Sequence, residues 1–201
     1  MTELDAPRVY LFDLDSTITK EELLPRIGTL NGTSELLRKA TTEAMLSNGS
    51  FSKSFLERIE LLSEIPLDQA QSVVETVPIL EDLMRWIQSN DKNVYLVTGN
   101  LDIWLEKFLE RYKLKAFTSK AILQDGKVYV TEILDKVQVL GNFAGNEIVY
   151  VGDGSNDVEV MRNSDIGILT EIVHKAPTAL WDVADFAVKD EEALCKLLSR
   201  L

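Results

Sequence analysis

The chain has 201 residues, 45% of them hydrophobic, which suits one domain with a sizeable core or one domain plus a small insert. Its 21 Lys and Arg against 33 Asp and Glu give a net charge of −12, which argues against nucleic acid and anionic membrane surfaces as partners. The single cysteine, Cys195, leaves no internal disulfide, no apolar run approaches the ~20 residues of a membrane span, and the first eight residues carry no hydrophobic signal region, so a cytoplasmic protein is expected.

Val9 to Phe12 is a short apolar run that leads straight into Asp13-Leu14-Asp15-Ser16-Thr17. It reads as a buried parallel strand with two acids at its carboxyl end, where open α/β sheets hold their ligands. At a period of two, Asp13 and Asp15 leave such a strand on one face. From 18 to 78 the pattern is helical. Thr19-Lys20-Glu21-Glu22 has the spacing of a capping box, ahead of Leu23, Leu24 and Ile27. A second helix is expected from Ser34, and Asn48-Gly49-Ser50 ends it. Phe51, Phe55, Ile59 and Leu62 recur at helical spacing, and a fourth helix runs from Leu67 to Glu75. Short helices between one strand and the next make a separate insert, placed where a lid over an active site belongs.

A helix from Ile79 to Gln88 precedes a strand at Asn93 to Val97, which ends in Thr98-Gly99-Asn100. Ile103, Trp104, Phe108 and Leu109 mark the inner face of the next helix. Asp125-Gly126 signals a hairpin within 117–130, and Lys136 opens a short helix begun at Asp135. A strand at Glu147 to Val151 runs into Gly152-Asp153-Gly154-Ser155-Asn156-Asp157. A helix at Val158 to Arg162, strands at Ile166 to Leu169 and Phe186 to Val188, and a closing helix complete the chain. Strands alternating with helices imply a Rossmann-like parallel sheet, with 1–17 and 79–201 as the core and 18–78 as a helical cap.

Four strand ends then carry polar groups: Asp13 with Asp15, Thr98, the Lys136 region, and Asp153 with Asp157. In a parallel sheet such ends converge. Gathered carboxylates repel unless a cation sits among them, and Mg²⁺ is the expected one, since hard cations take oxygen ligands. A dinucleotide loop is the rival reading of Gly-Asp-Gly-Ser-Asn-Asp, but its third glycine is missing and acids stand where a pyrophosphate would lie. Carboxylates with one lysine and one threonine meet the needs of phosphoryl transfer: a nucleophile, and groups that neutralise the phosphoryl oxygens. His174, the lone histidine, has no partner for catalysis nearby in sequence and reads as structural.

Phe-Asp-Leu-Asp-Ser-Thr, Val-Thr-Gly-Asn, Lys136 and Gly-Asp-Gly-Ser-Asn-Asp, in that order, resemble the four motifs of the haloacid dehalogenase-like hydrolases. The insert resembles the cap of the phosphoserine phosphatase branch, most closely at Thr42-Glu43-Ala44-Met45 and from Phe51 through Arg58 to Leu62. The resemblance implies Asp13 as nucleophile, Asp15 as general acid and then base, and Thr98 and Lys136 as phosphate-binding groups. It implies that Asp13, Asp153, the backbone carbonyl of Asp15 and, less directly, Asp157 organise Mg²⁺. Glu22 and Arg58 occupy the places where that branch meets the substrate ammonium and carboxylate, a chemically apt pair for a zwitterion. Read without the family, Glu22 is a helix cap and Arg58 a solvated helix residue. Gly99, Asn100 and Asn156 complete the expected substrate contacts, although the family usually has a second glycine where Asn100 stands.

The expected function is therefore Mg²⁺-dependent hydrolysis of a small phosphorylated metabolite, most simply O-phosphoserine, by a monomer or homodimer. The alternatives are another metabolite (a methionine-salvage enol phosphate or a phosphorylated amino alcohol) and a non-catalytic binding protein of the same fold. A receiver-type signalling domain fits less well, because it has no Asp-x-Asp pair and no long helical insert after its first strand.

Overall fold

The computed structural model describes residues 7–46 and 51–201. The expected break at Asn48-Gly49-Ser50 lies outside them, as do the side chains of Ala44, Met45 and Phe51. Strands β1 (Arg8–Phe12), β2 (Val94–Leu101), β3 (Ala116–Gln124), β4 (Lys127–Glu132), β5 (Glu147–Gly152), β6 (Ile166–Thr170) and β7 (Phe186–Val188) form one sheet in the order β4-β3-β2-β1-β5-β6-β7. All pairs are parallel except β3 with β4. Strand alternation explains why both faces are covered. Val9 and Leu11 of β1 join Ile148 and Tyr150 of β5 in one core, while Phe12, Val149 and Val151 enter the other.

Between β1 and β2 lie α1 (Leu23–Ile27), α2 (Ser34–Leu46), α3 (Phe51–Glu60), α4 (Leu67–Glu75) and α5 (Glu81–Ser89). The remaining helices are α6 (Asp102–Tyr112), α7 (Lys136–Val139), α8 (Val158–Arg162), α9 (Thr178–Trp181) and α10 (Glu191–Leu198). Among the described residues no helix is long and apolar enough to cross a membrane. The apolar residues of α1 to α4 and of the turn between α3 and α4 continue the Phe12 core: Leu23, Ile27, Leu37 and Leu62 are fully buried in it. Each such side chain is worth about 1.5–3 kcal/mol. An exposed pair such as Lys127–Glu60, 2.6 Å apart, is screened by solvent and contributes little, so packing rather than charge holds the insert down.

Three expectations change. The capping box at Thr19 does not form: Thr19 Oγ1 donates to backbone carbonyls, and α1 begins after Glu22, whose side chain makes no cap. The cap comes from Asp15, whose Oδ1 accepts the Leu23 N–H at 2.7 Å, because the acidic turn folds back onto the helix start. The helix expected from Ile79 starts at Glu81, since Ile79 pairs with Thr19 in a bridge. Lys136, finally, does not follow a parallel strand. Only 116–119 of β3 pair with β2; β3 then runs on past the sheet and β4 brings the chain back, Glu132 beside Lys120. Leu134 N–H donates to Ser119 Oγ at 3.0 Å, which sets the return point at the carboxyl edge. The antiparallel hairpin thus delivers Lys136 to the same end of the sheet by another route. Its Val128 N–H also donates to Ser63 O at 2.8 Å, which ties it to the insert.

Candidate active site

Asp13 extends β1 by one bond, its N–H donating to Val151 O at 2.9 Å, so the backbone ladder fixes its position. Ser16, two residues past the strand-ending acid pair's midpoint Leu14, sits at φ 57°. That left-handed turn costs about 1–2 kcal/mol for a residue with a Cβ and lets the acidic segment double back on itself. Lys136 Nζ donates to Asp13 Oδ1 at 2.5 Å and to Asp157 Oδ1 at 2.7 Å, all three groups being buried. Tyr150 OH donates to the same Asp157 oxygen at 2.5 Å. Asp157 Oδ2 accepts the N–H groups of Asp153 and Gly154 at 3.1 and 3.0 Å. Gly152 permits this fold-back, since a Cβ there would stand 2.5 Å from Asp157 Oδ2.

One oxygen from each of Asp13, Asp153 and Asp157 lies within 4.8 Å of the others. Burial lifts the Asp13 carboxyl well above its usual range against the pull of Lys136, and Asp157 and Asp153 lift it further. Burial also brings Asp153 up to about 6, opposed by His174. Asp13 and Asp157 share the Lys136 ammonium and Asp153 faces the His174 imidazole, so three desolvated acids still outnumber their cations; this suits a divalent cation, and the all-carboxylate donors select a hard one. The three acids differ in availability. Both Asp157 oxygens already take two donors each, whereas Asp13 Oδ2 accepts no hydrogen bond among the described residues and Asp153 Oδ2 no aligned one. Asp13 is therefore open to a cation, Asp153 would exchange its 2.7 Å contact with His174 for one, and Asp157 orients the lysine and the loop.

Asp15 is clamped from two sides: Leu23 N–H at Oδ1 and the Asn100 side-chain amide at Oδ2. Burial first, and then the charge of Glu22, push its carboxyl up to about 7, while these two donors pull the other way. Thr98 Oγ1 accepts the Asn100 N–H at 3.2 Å and Asn100 Nδ2 at 3.0 Å. Gly99 lies between them, buried in β2. Asn156 is exposed on the turn before Asp157.

The insert contributes two more groups. Glu22 Oε1 accepts the Ser16 hydroxyl at 2.9 Å instead of capping α1. Arg58 is not a solvated helix residue: it is 7% exposed, donates to Thr41 Oγ1 at 3.1 Å and Ser54 O at 3.2 Å, and has no carboxylate partner among the described residues. Burial lowers its guanidinium pKa, and the charges of Glu22 and Asp15 partly offset this.

Sequence reasoning missed several members of the cluster. His174 Nε2 stands 2.7 Å from Asp153 Oδ2 and 3.7 Å from Glu22 Oε1, and these acids push the imidazole up to about 10. A signal existed: the loop after β6 leaves the same carboxyl edge as the loops after β1 and β5. Thr17 Oγ1, donating to Asp153 Oδ1 at 2.8 Å, lies in the loop after β1 and shared that signal, whereas Tyr150, hidden in an apolar run, had none.

Fold and site together define an α/β protein whose working groups are carboxylates gathered around one buried lysine at the carboxyl edge of a parallel sheet. The sequence model for haloacid dehalogenase-like hydrolases matches residues 10–162, and the chain belongs to that family. A phosphoserine phosphatase of Methanocaldococcus jannaschii is 26% identical, the alignment covering 92% of this chain and 93% of that protein. One from Lactococcus lactis is also 26% identical, over 81% and 83%. A solved phospho-aspartyl intermediate analogue of phosphoserine phosphatase matches with a TM-score of 0.79 at 25% identity, covering 96% of this chain and 99% of its own. A substrate-bound phosphoserine phosphatase complex matches at 0.81 and 26% identity, over 95% and 98%.

Proposed function

We propose that this protein is a Mg²⁺-dependent phosphomonoesterase that works through an aspartyl-phosphate on Asp13, with O-phosphoserine as substrate. Asp13 attacks phosphorus through one carboxylate oxygen while the ester P–O bond breaks. Asp15 gives its proton to the departing alkoxide, then takes one from the water that cleaves the aspartyl-phosphate and frees phosphate. Lys136 uses two of its three N–H donors on Asp13 and Asp157 and has the third for a phosphoryl oxygen. Thr98 accepts two N–H groups, so its own hydroxyl hydrogen is available to the phosphoryl group. Asp13, Asp153 and the Asp15 carbonyl would hold Mg²⁺, which when bound neutralises charge on the phosphoryl oxygens. Residues 18–78 act as the cap over this site, with 1–17 and 79–201 as the catalytic core. A reducing cytoplasm fits the lone Cys195, and the small phosphorylated metabolite would meet Lys136 as the local cation in an acidic chain.

The observation that carries the substrate reading is Arg58. A buried guanidinium without a carboxylate partner is expensive unless a ligand completes it. Glu22, whose charge reaches Arg58, suits an ammonium. The relatives named phosphoserine phosphatase support the same reading. Phosphate release from O-phosphoserine and from a neutral alkyl phosphate, with Mg²⁺ and with chelator, tests it. Arg58→Ala is expected to lower kcat/KM on phosphoserine about 10–100-fold, because a charge-assisted bond is worth about 1.5–3 kcal/mol. The neutral ester never makes this contact and stays near the wild-type rate. Equal effects on both esters, with no wild-type preference for phosphoserine, would remove phosphoserine as the substrate.

The acid has its own signature. Asp15→Asn is expected to slow alkyl esters by about 10²–10⁴-fold, the usual worth of a positioned proton donor. Aryl phosphates, whose leaving groups depart without a proton, lose much less. Equal losses on alkyl and aryl esters would show that Asp15 is not the acid.

A further inference from the structure

We propose that Asn100 is a positioning residue, whose side-chain amide sets both the plane of the Asp15 carboxylate and the direction of the Thr98 hydroxyl. This rests on the phosphatase reading above.

Asn100 is 5% exposed and lies near the end of β2, at the register shift between Thr98 and Leu101. An amide nitrogen has two hydrogens, and both are used inside the protein: one on Asp15 Oδ2, the other on Thr98 Oγ1. Asn100 therefore has no amide hydrogen left for a substrate. Its effect on Asp15 is geometric. With Leu23 N–H fixed on Oδ1 by the start of α1, a second donor on Oδ2 stops the carboxylate rotating about its Cβ–Cγ bond.

The effect on Thr98 follows from counting lone pairs. Oγ1 accepts Asn100 N–H and Asn100 Nδ2–H, which fills both. The hydroxyl hydrogen must then donate, and no acceptor among the described residues takes it. A phosphoryl oxygen, which only accepts, is the ligand chemistry that completes this group. One side chain thus couples the proton donor for the leaving group to a donor for the phosphoryl group, so that the two act in register.

Asn100→Ala and Asn100→Asp test this on an alkyl and an aryl phosphate, with kcat and KM measured separately. Asn100→Ala should lower kcat on the alkyl ester by about 10–100-fold, the worth of one hydrogen bond to a charged group. The aryl ester should lose less and KM should change little. Asn100→Asp, close in shape but with no hydrogen to give and a negative charge facing Asp15, should be worse than alanine on the alkyl ester. A purely structural role predicts the opposite order and equal losses on both esters; a substrate contact predicts a raised KM with kcat kept. Either result overturns the proposal. The side-chain amide proton resonance of Asn100 reads the contact without turnover: it should lie downfield in the wild type and move in Asp15→Ala. An unshifted resonance overturns the proposal whatever the activity. A wild type with that resonance shifted, yet inert on both esters, supports the clamp while refuting the phosphatase reading.

Discussion

Asp13→Asn is expected to abolish phosphate release while leaving the protein folded and, without metal, no less stable. An amide cannot attack phosphorus or carry an aspartyl-phosphate, so no other residue rescues the first step. The stability side follows from burial. Desolvation raises the Asp13 carboxyl well above its usual range despite Lys136. In the metal-free protein the native state therefore keeps a proton that the unfolded chain releases near pH ~4. Native binding exceeds unfolded binding, so this group's contribution to stability is full at low pH. It is lost as pH rises from about 4 toward the raised value. Asparagine removes that decline. Melting temperatures in chelator across pH should show the variant equal to the wild type in acid and equal or higher near neutrality. Beryllium fluoride with Mg²⁺ should raise the melting temperature of the wild type and not of the variant. Substantial turnover by Asp13→Asn would end the nucleophile assignment.

The parts of the site that the sequence exposed are those where adjacent residues carry the chemistry. Asp13, Asp15, Thr98, Asp153 and Asp157 each sit at or just after an apolar run, and the structure brings them to one edge. Lys136 was legible as a residue but not as a path, because the hairpin that delivers it pairs antiparallel beyond the sheet. Glu22 shows the limit of local patterns. Thr19 and Glu22 have the right spacing for a capping box, yet Asp15 takes the helix start and releases Glu22 to face Ser16 and His174. Arg58 and His174 depended on long-range packing, which no periodicity encodes. A helical arginine reads as solvated until Thr41, from another helix, is seen closing over it. The helices of the insert were read from their 3.6-residue period, while the start of α5 was missed because Ile79 pairs with Thr19, a contact sixty residues apart in the chain.

Lys136→Met is expected to damage stability as well as activity, and the way it does so tests whether the acids and the lysine form one electrostatic unit. Among the described residues the lysine is the only ammonium bonded to Asp13 and Asp157, and burial would lower its pKa were these two charges not holding it raised. Removing one partner of a buried pair costs about 3–5 kcal/mol, since the other charge stays behind without compensation. For a chain of this size that corresponds to about 6–20 °C in melting temperature at neutral pH in chelator. The deficit should shrink as pH falls, because Asp13, already raised by burial, takes up a proton and needs no cation. Mg²⁺ should recover part of the lost stability but not turnover, which lacks the lysine's third donor. The double variant Asp13→Asn with Lys136→Met is the decisive comparison. Neutralising Asp13 leaves only Asp157 uncompensated, so the double variant should be more stable than Lys136→Met alone, a non-additive result expected of groups in contact. If the two changes simply add, Lys136 stabilises the site through its packed methylenes, and the charge argument for this cluster fails.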